Sequence, residues 1–202
     1  MDAAWIAASF AISAAGTAAA IGYARARSMI DLPGQRRSHS VPTPRGGGIG
    51  IVVASMFALW FGVDAQHKES ASMLLVCVAL VAGVGWWDDH RPLRASVRFA
   101  VHCLAGLLLA APLILAAIFP DDSRHADPAQ SRWLLALAAA TVVGAAWSIN
   151  LHNFIDGING LLALHCAWLF AAVGVLDATL TAQLGWKPFA LAAACLAFVP
   201  FN

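Results

Sequence analysis

Charge is what this chain has least of. Only 11% of its 202 residues are Asp, Glu, Lys or Arg, against 60% hydrophobic. That leaves too little polar surface to cover a water-soluble domain. Cysteine is scarce too: Cys77, Cys103, Cys166 and Cys195 lie singly in apolar stretches, with no C-x-x-C pair, so no disulfide framework is expected and the thiols read as packing groups. The strict alternation of a transmembrane barrel strand is missing. So are internal repeats, low-complexity tracts and any stretch polar enough for a soluble domain. The first apolar stretch has neither a basic segment before it nor a small-residue cleavage site ahead of Arg25, which predicts a retained helix and not a removed signal peptide. The net charge of +1 carries little information as a sum, and no nucleic-acid partner is expected.

What is present is a series of long apolar runs rich in Ala and Leu, near 3–23, 46–63, 71–87, 96–119, 132–149, 161–176 and 188–201. Most approach the ~20 residues a helix needs to cross roughly 30 Å of hydrocarbon. The expected fold is all-α: a polytopic transmembrane helical bundle of six full spans plus a partial seventh, forming one integral-membrane domain over 1–202. Charge sorts by loop. Arg25, Arg27, Arg36, Arg37, Arg45, Arg91, Arg94 and Arg98, eight of the twelve basic residues, fall in the loops 24–45 and 88–98. The positive-inside rule makes those loops cytoplasmic and the N-terminus periplasmic, with 150–160 on the cytoplasmic side. Most acids lie on the other side; of the four expected inside, Asp88, Asp89 and Asp156 belong to two polar islands, WWDDH (86–90) and NLHNFIDGINGL (150–161).

Carboxylates beside hydrocarbon are costly unless they meet water, a metal or a counter-charge, which makes both islands candidate sites. Neighbouring residues on a helix point about 100° apart, so Asp88 and Asp89 suit different roles, one as base and one toward a divalent cation, or a solvated helix-end cluster of ion pairs. Arg91, Arg94 and Arg98 follow at the same helix end, where a phosphate could be held. In the second island Asn150, Asn153, Asp156 and Asn159 recur every three residues, and Gly157 and Gly160 leave room for a ligand or a sharp turn. Such amides suit a nucleobase, a sugar or a hydrated metal. The loop 25–45, broken by Pro33, Gly34, Pro42 and Pro44, runs into Gly46, Gly47 and Gly48, a layout open to two readings: close approach to an anion, or easier helix packing. His102 and His165 lie inside spans, where a single histidine most often bonds to a neighbouring helix. Pro112 is expected to kink the fourth span.

Three segments, DLPGQRRSHSVPTPRGGGIGI (31–51), WWDDHRPLRASVRF (86–99) and NLHNFIDGINGL (150–161), together and in this order resemble the polyprenyl-phosphate N-acetylhexosamine-1-phosphate transferases. That family includes the phospho-MurNAc-pentapeptide translocase and the undecaprenyl-phosphate GlcNAc-1-phosphate transferases. The loop pattern and Asn159 look closer to the branch that starts O-antigen or other surface glycans. The resemblance implies a ten- or eleven-helix enzyme of the bacterial inner membrane, with its active site facing the cytoplasm. It would use Mg²⁺ to move a sugar 1-phosphate from a UDP-sugar to undecaprenyl phosphate, releasing UMP. It further implies that Asp88 deprotonates or positions the lipid phosphate, and that Asp89 supports it or the metal. Arg98 would hold phosphate, and Asp156 would be catalytic and a second metal ligand. Asn150, Asn153 and Asn159 would shape the nucleotide-sugar pocket, with Thr43, Arg45 and Gly46 to Gly48 at the uridine or phosphate end. The chain is expected to be a C-terminally truncated member, since the family's later cytoplasmic motifs do not follow Asn202. A homodimer stays open, and so do two other classes, an intramembrane prenyltransferase and a transporter. The first would bring two Asp-rich motifs, and the second ionisable groups at mid-bilayer.

Overall fold

The computed structural model describes residues 2–31, 42–63, 68–119, 128–155 and 160–201. Among them are seven α-helices: α1 (Asp2–Ala26), α2 (Ile49–Phe61), α3 (Lys68–His90), α4 (Ala95–Ile118), α5 (Pro128–Ile155), α6 (Leu161–Leu180) and α7 (Lys187–Phe198), the last continuing into a 3-10 turn at Val199–Phe201. Two short strands, β1 (Ile30–Asp31) and β2 (Thr43–Pro44), pair antiparallel, with Ile30 opposite Pro44 and Asp31 opposite Thr43. This is the all-α, polytopic membrane architecture expected from the apolar runs. A helix satisfies its own backbone polar groups, which hydrocarbon cannot do for it.

Five helices, α1, α3, α4, α5 and α6, are long and apolar enough to cross a membrane. The second apolar stretch, counted above as a full span over 46–63, yields only the 13 residues of α2, about 20 Å of helix. Glycine shortens it at both ends. Gly46 takes a left-handed φ of 80°, Gly47 and Gly48 form a turn ahead of Ile49, and Gly62 closes the far end with its N–H on the Ala58 carbonyl. Helix α7 is likewise short, at 12 residues.

Side-chain size is distributed the opposite way from a soluble protein. The largest fully buried side chains are Thr17, Ser9 and Ser13, whereas Phe154, Leu180 and Trp133 are 82%, 77% and 76% exposed. Lipid tails solvate large apolar groups as well as a protein core does, so helices associate through small residues that let backbones approach closely.

The described chain falls into two compact units, one of Met1–Leu75 with Asn153–Asn202 and one of Val76–His152. In the first, α1 buries a stripe of Ser9, Ser13, Thr17, Ala20 and Ala24, at the three- and four-residue intervals of one helix face. A Cβ added to Gly16 would come within 2.9 Å of the Gly50 Cα, and one on Gly50 would collide with the Ser13 carbonyl and with Thr17. Polar links tie the crossing together: Ser13 Oγ donates to the Ala194 carbonyl at 2.7 Å, and Thr17 Oγ1 to the Gly47 carbonyl at 3.2 Å. Trp5 stacks on Phe61 and on Trp186, with centroids 6.2 and 5.7 Å apart, which gathers one end of α1, α2 and α7 into an aromatic cluster of the kind that sits at a membrane interface. Between α6 and α7 the chain turns around Asp177. Its carboxylate accepts from Thr181 Oγ1 and from the backbone N–H groups of Gln183, Leu184 and Gly185.

In the second unit α4 is bonded to both of its helical partners. Cys77 of α3 donates its thiol to the Ala105 carbonyl at 3.6 Å. On the other side, a Cβ at Gly106 would lie 3.0 Å from the Val142 backbone of α5. Pro112 sits within α4, which remains assigned as helix throughout Ala95–Ile118.

Candidate functional site

The WWDDH island forms the last turn of α3, and the chain reverses through Arg91–Arg94 into α4. Asp88 organises that reversal. Its Oδ1 accepts the Leu93 N–H at 2.7 Å and its Oδ2 accepts Arg98 Nη1 at 2.5 Å. Two residues expected at the site from sequence are thereby joined to each other. The side chains of Arg98 and Asp88 remain 34% and 23% exposed, so the pair is open to a ligand and is only moderately stabilising in itself. Asp89, next in the chain and half-buried, points off the helix in a different direction from Asp88. Arg91 and Arg94 are exposed in the same turn. A charge-assisted pair flanked by further arginines can orient one guanidinium while the others remain available to an anionic oxygen.

One helical turn beyond Arg98 on α4 is His102, only 6% exposed. It meets Asn150 of α5: Asn150 Nδ2 lies 3.1 Å from His102 Nδ1 and also donates to the Ala146 carbonyl at 2.7 Å. From sequence, Asn150 is expected at the site and His102 as a histidine bonded to a neighbouring helix. The structure shows each to be the other's partner. The signal that joins them is the four-residue spacing of Arg98 and His102, which puts both on one face of α4.

In the other unit, Thr43 lies in the short ladder opposite Asp31, and Arg45 follows it. Arg45 Nη2 donates to Asp31 Oδ1 at 2.6 Å and the Arg45 N–H bonds to the Met29 carbonyl at 3.0 Å. Asp31 was not among the expected site residues, yet it orients the cation that was. The glycines divide. Gly46 supplies the left-handed turn. Gly47 is buried, and a Cβ there would stand 3.0 Å from the Phe198 ring. Gly48 is exposed with open space at its Cβ position. The N–H groups of Ile49, Gly50 and Val52 are bonded to the carbonyls of Gly46, Gly47 and Gly48, so of the two readings of this run, helix packing accounts for Gly47. Asn153 is exposed in the last turn of α5, and Gly160 takes a φ of 71° ahead of α6, the sharp turn its position suggested. Asp156 and Asn159, with Gly157, lie outside the described residues. Among the described residues no three His, Cys, Asp or Glu side chains gather as a metal cage; of the two expected metal ligands only Asp89 is described.

Residues 71–202 match the sequence profile of glycosyl transferase family 4, well over half of the chain. The chain belongs to glycosyl transferase family 4. Curated proteins similar to it include an undecaprenyl-phosphate alpha-N-acetylglucosaminyl 1-phosphate transferase of Yersinia pestis, 29% identical over 73% of this chain and 40% of that protein. The protein of the same description in Escherichia coli K12 is 25% identical over 86% of this chain and 47% of its own length. A decaprenyl-phosphate N-acetylglucosaminephosphotransferase of Mycobacterium tuberculosis is 28% identical over 86% and 46%. The chain thus spans somewhat under half the length of these relatives. No solved structure gives a significant match. The family match takes in the WWDDH turn, His102 and the Asn150 island and leaves out the glycine loop at 46–48, which the alignments to the two longer-matched relatives have room to include.

Proposed function

We propose that the protein transfers a sugar 1-phosphate from a UDP-N-acetylhexosamine to undecaprenyl phosphate at the cytoplasmic face of a bacterial inner membrane, starting a surface glycan or cell-wall polymer. In that reaction a lipid phosphate oxygen attacks the β-phosphorus, the bond to the bridging oxygen breaks, and UMP leaves with the electron pair. The observation that carries the reading is the Asp88–Arg98 pair, braced by the Leu93 N–H at the end of two membrane-crossing helices, in a member of this family. Such a pair presents a fixed guanidinium where a lipid phosphate head group resides. Preorganised charge of this kind stabilises a phosphoryl-transfer transition state without reorganising during reaction. We assign Asp88 to positioning the lipid phosphate through Arg98 or to taking its proton.

Asp89 supplies hard carboxylate oxygen of the type Mg²⁺ prefers, and we assign it, with Asp156, to that ion, which when bound would neutralise charge on the departing UMP. Asn150, Asn153 and Asn159 are assigned to the nucleotide sugar, as are Thr43, Arg45, Gly46 and Gly48, with Gly47 packed against Phe198. The test is a membrane preparation carrying the protein, supplied with undecaprenyl phosphate, Mg²⁺ and a panel of radiolabelled UDP-N-acetylsugars. UMP release together with labelled lipid supports the reading. Labelled-substrate flux without lipid product points to a transporter, and labelled lipid formed only from a prenyl diphosphate points to a prenyltransferase; either result overturns it.

A further inference from the structure

We infer that His102 is a positioning residue for the transfer: by taking the second amide hydrogen of Asn150 it leaves the Asn150 carbonyl oxygen as an acceptor for an N–H or O–H group of the nucleotide sugar. This rests on the proposed transfer reaction and names a residue that acts on its donor substrate.

The argument begins with the Asn150 amide. A backbone carbonyl can only accept, so the 2.7 Å contact with Ala146 identifies the Asn150 atom there as Nδ2. The same nitrogen lies 3.1 Å from His102 Nδ1. Its remaining hydrogen goes to that ring nitrogen, which must be unprotonated, placing the proton of the neutral ring on Nε2. Both amide hydrogens are then committed within the unit, and Oδ1 is the one atom of the group left for a ligand. Asn150 is exposed while His102 is buried, so the amide meets the ligand and the imidazole holds it from behind. The close approach of α4 and α5 at Gly106 and Val142, one turn from His102, keeps the two within reach.

An acceptor held this way discriminates by chemistry. A lipid phosphate offers oxygen acceptors and is disfavoured by Oδ1. A nucleotide sugar carries imide, hydroxyl and N-acetyl donors that Oδ1 can receive. Loss of the imidazole frees the amide to turn a hydrogen outward, so the damage falls on the nucleotide sugar and spares the lipid.

Steady-state transfer should be measured on the full protein in membranes, varying UDP-sugar and undecaprenyl phosphate separately. H102L is expected to raise the UDP-sugar KM about tenfold, the scale of one neutral hydrogen bond, with the lipid KM unchanged. H102N, whose Oδ1 stands where Nδ1 did and accepts the same N–H, restores most of the loss. H102L/N150A is no worse than N150A alone. Equal rises in both KM values, failure of H102N to restore, or additive single losses overturn the inference and reduce His102 to packing. Nitrogen-15 NMR of labelled histidine gives a readout independent of turnover: a hydrogen-bonded, unprotonated Nδ1 that loses its bond in N150A. If the wild-type protein transfers nothing, the proposed reaction falls while this signature still decides the orientation of Asn150. A protonated Nδ1 overturns the inference whether or not the protein is active.

Discussion

Replacing Asp88 by Asn keeps an acceptor for the Leu93 N–H and puts an uncharged NH2 donor where Oδ2 accepted from Arg98. Turnover in the labelled-lipid assay should therefore fall by about 100-fold or more, the scale of losing a preorganised charge at a phosphoryl-transfer site. Far-UV circular dichroism and membrane yield should stay those of the wild type. Near-normal turnover would remove Asp88 from the site. At Arg45, Asp31→Asn loosens the guanidinium without deleting it, and a several-fold rise in UDP-sugar KM with unchanged kcat is the expected result. Both arginines could be seen in the sequence as cations suited to phosphate. Their commitment to Asp31 and Asp88 could not, because each pair is separated by a chain reversal, 14 residues apart in one case and 10 in the other, and helical spacing rules reach only one turn. The pairing of Asn150 with His102, 48 residues away, is hidden for the same reason.

Elements follow from composition more directly than pairings do. Runs of Ala and Leu some twenty residues long form helices wherever they occur, and all seven apolar stretches do so here. Ends are harder, because glycine is neutral on a hydropathy count yet ends a helix by adopting backbone angles other residues avoid; that is why 46–63 gives a 13-residue α2. Two substitutions probe how elements meet. Gly50→Val places methyl groups where Ser13 and Thr17 of α1 already stand, and overpacking of this kind costs about 1–3 kcal/mol, visible as a lower melting temperature in mild detergent. Asp177→Leu strips the acceptor from three backbone N–H groups in the turn before α7. Unsatisfied donors cost about 1–3 kcal/mol, and faster proteolytic cleavage near 181–186 is the expected result, with Asp177→Asn intermediate.

For the whole molecule, the sorting of arginines predicts which side of the bilayer each turn occupies. A membrane-impermeant thiol reagent should label Gln183→Cys in intact cells and Arg94→Cys only after the membrane is opened; the reverse pattern would invert the orientation and with it the cytoplasmic site. The inverted distribution of side-chain size also sets when the molecule can assemble. Thr17 finds the Gly47 carbonyl once α2 has been made, but Ser13 gives its hydroxyl hydrogen to a carbonyl 181 positions further along, so that part of the first helix stays unmatched until nearly two hundred residues have left the ribosome. Slowed translation after α2 prolongs its exposure to membrane proteases.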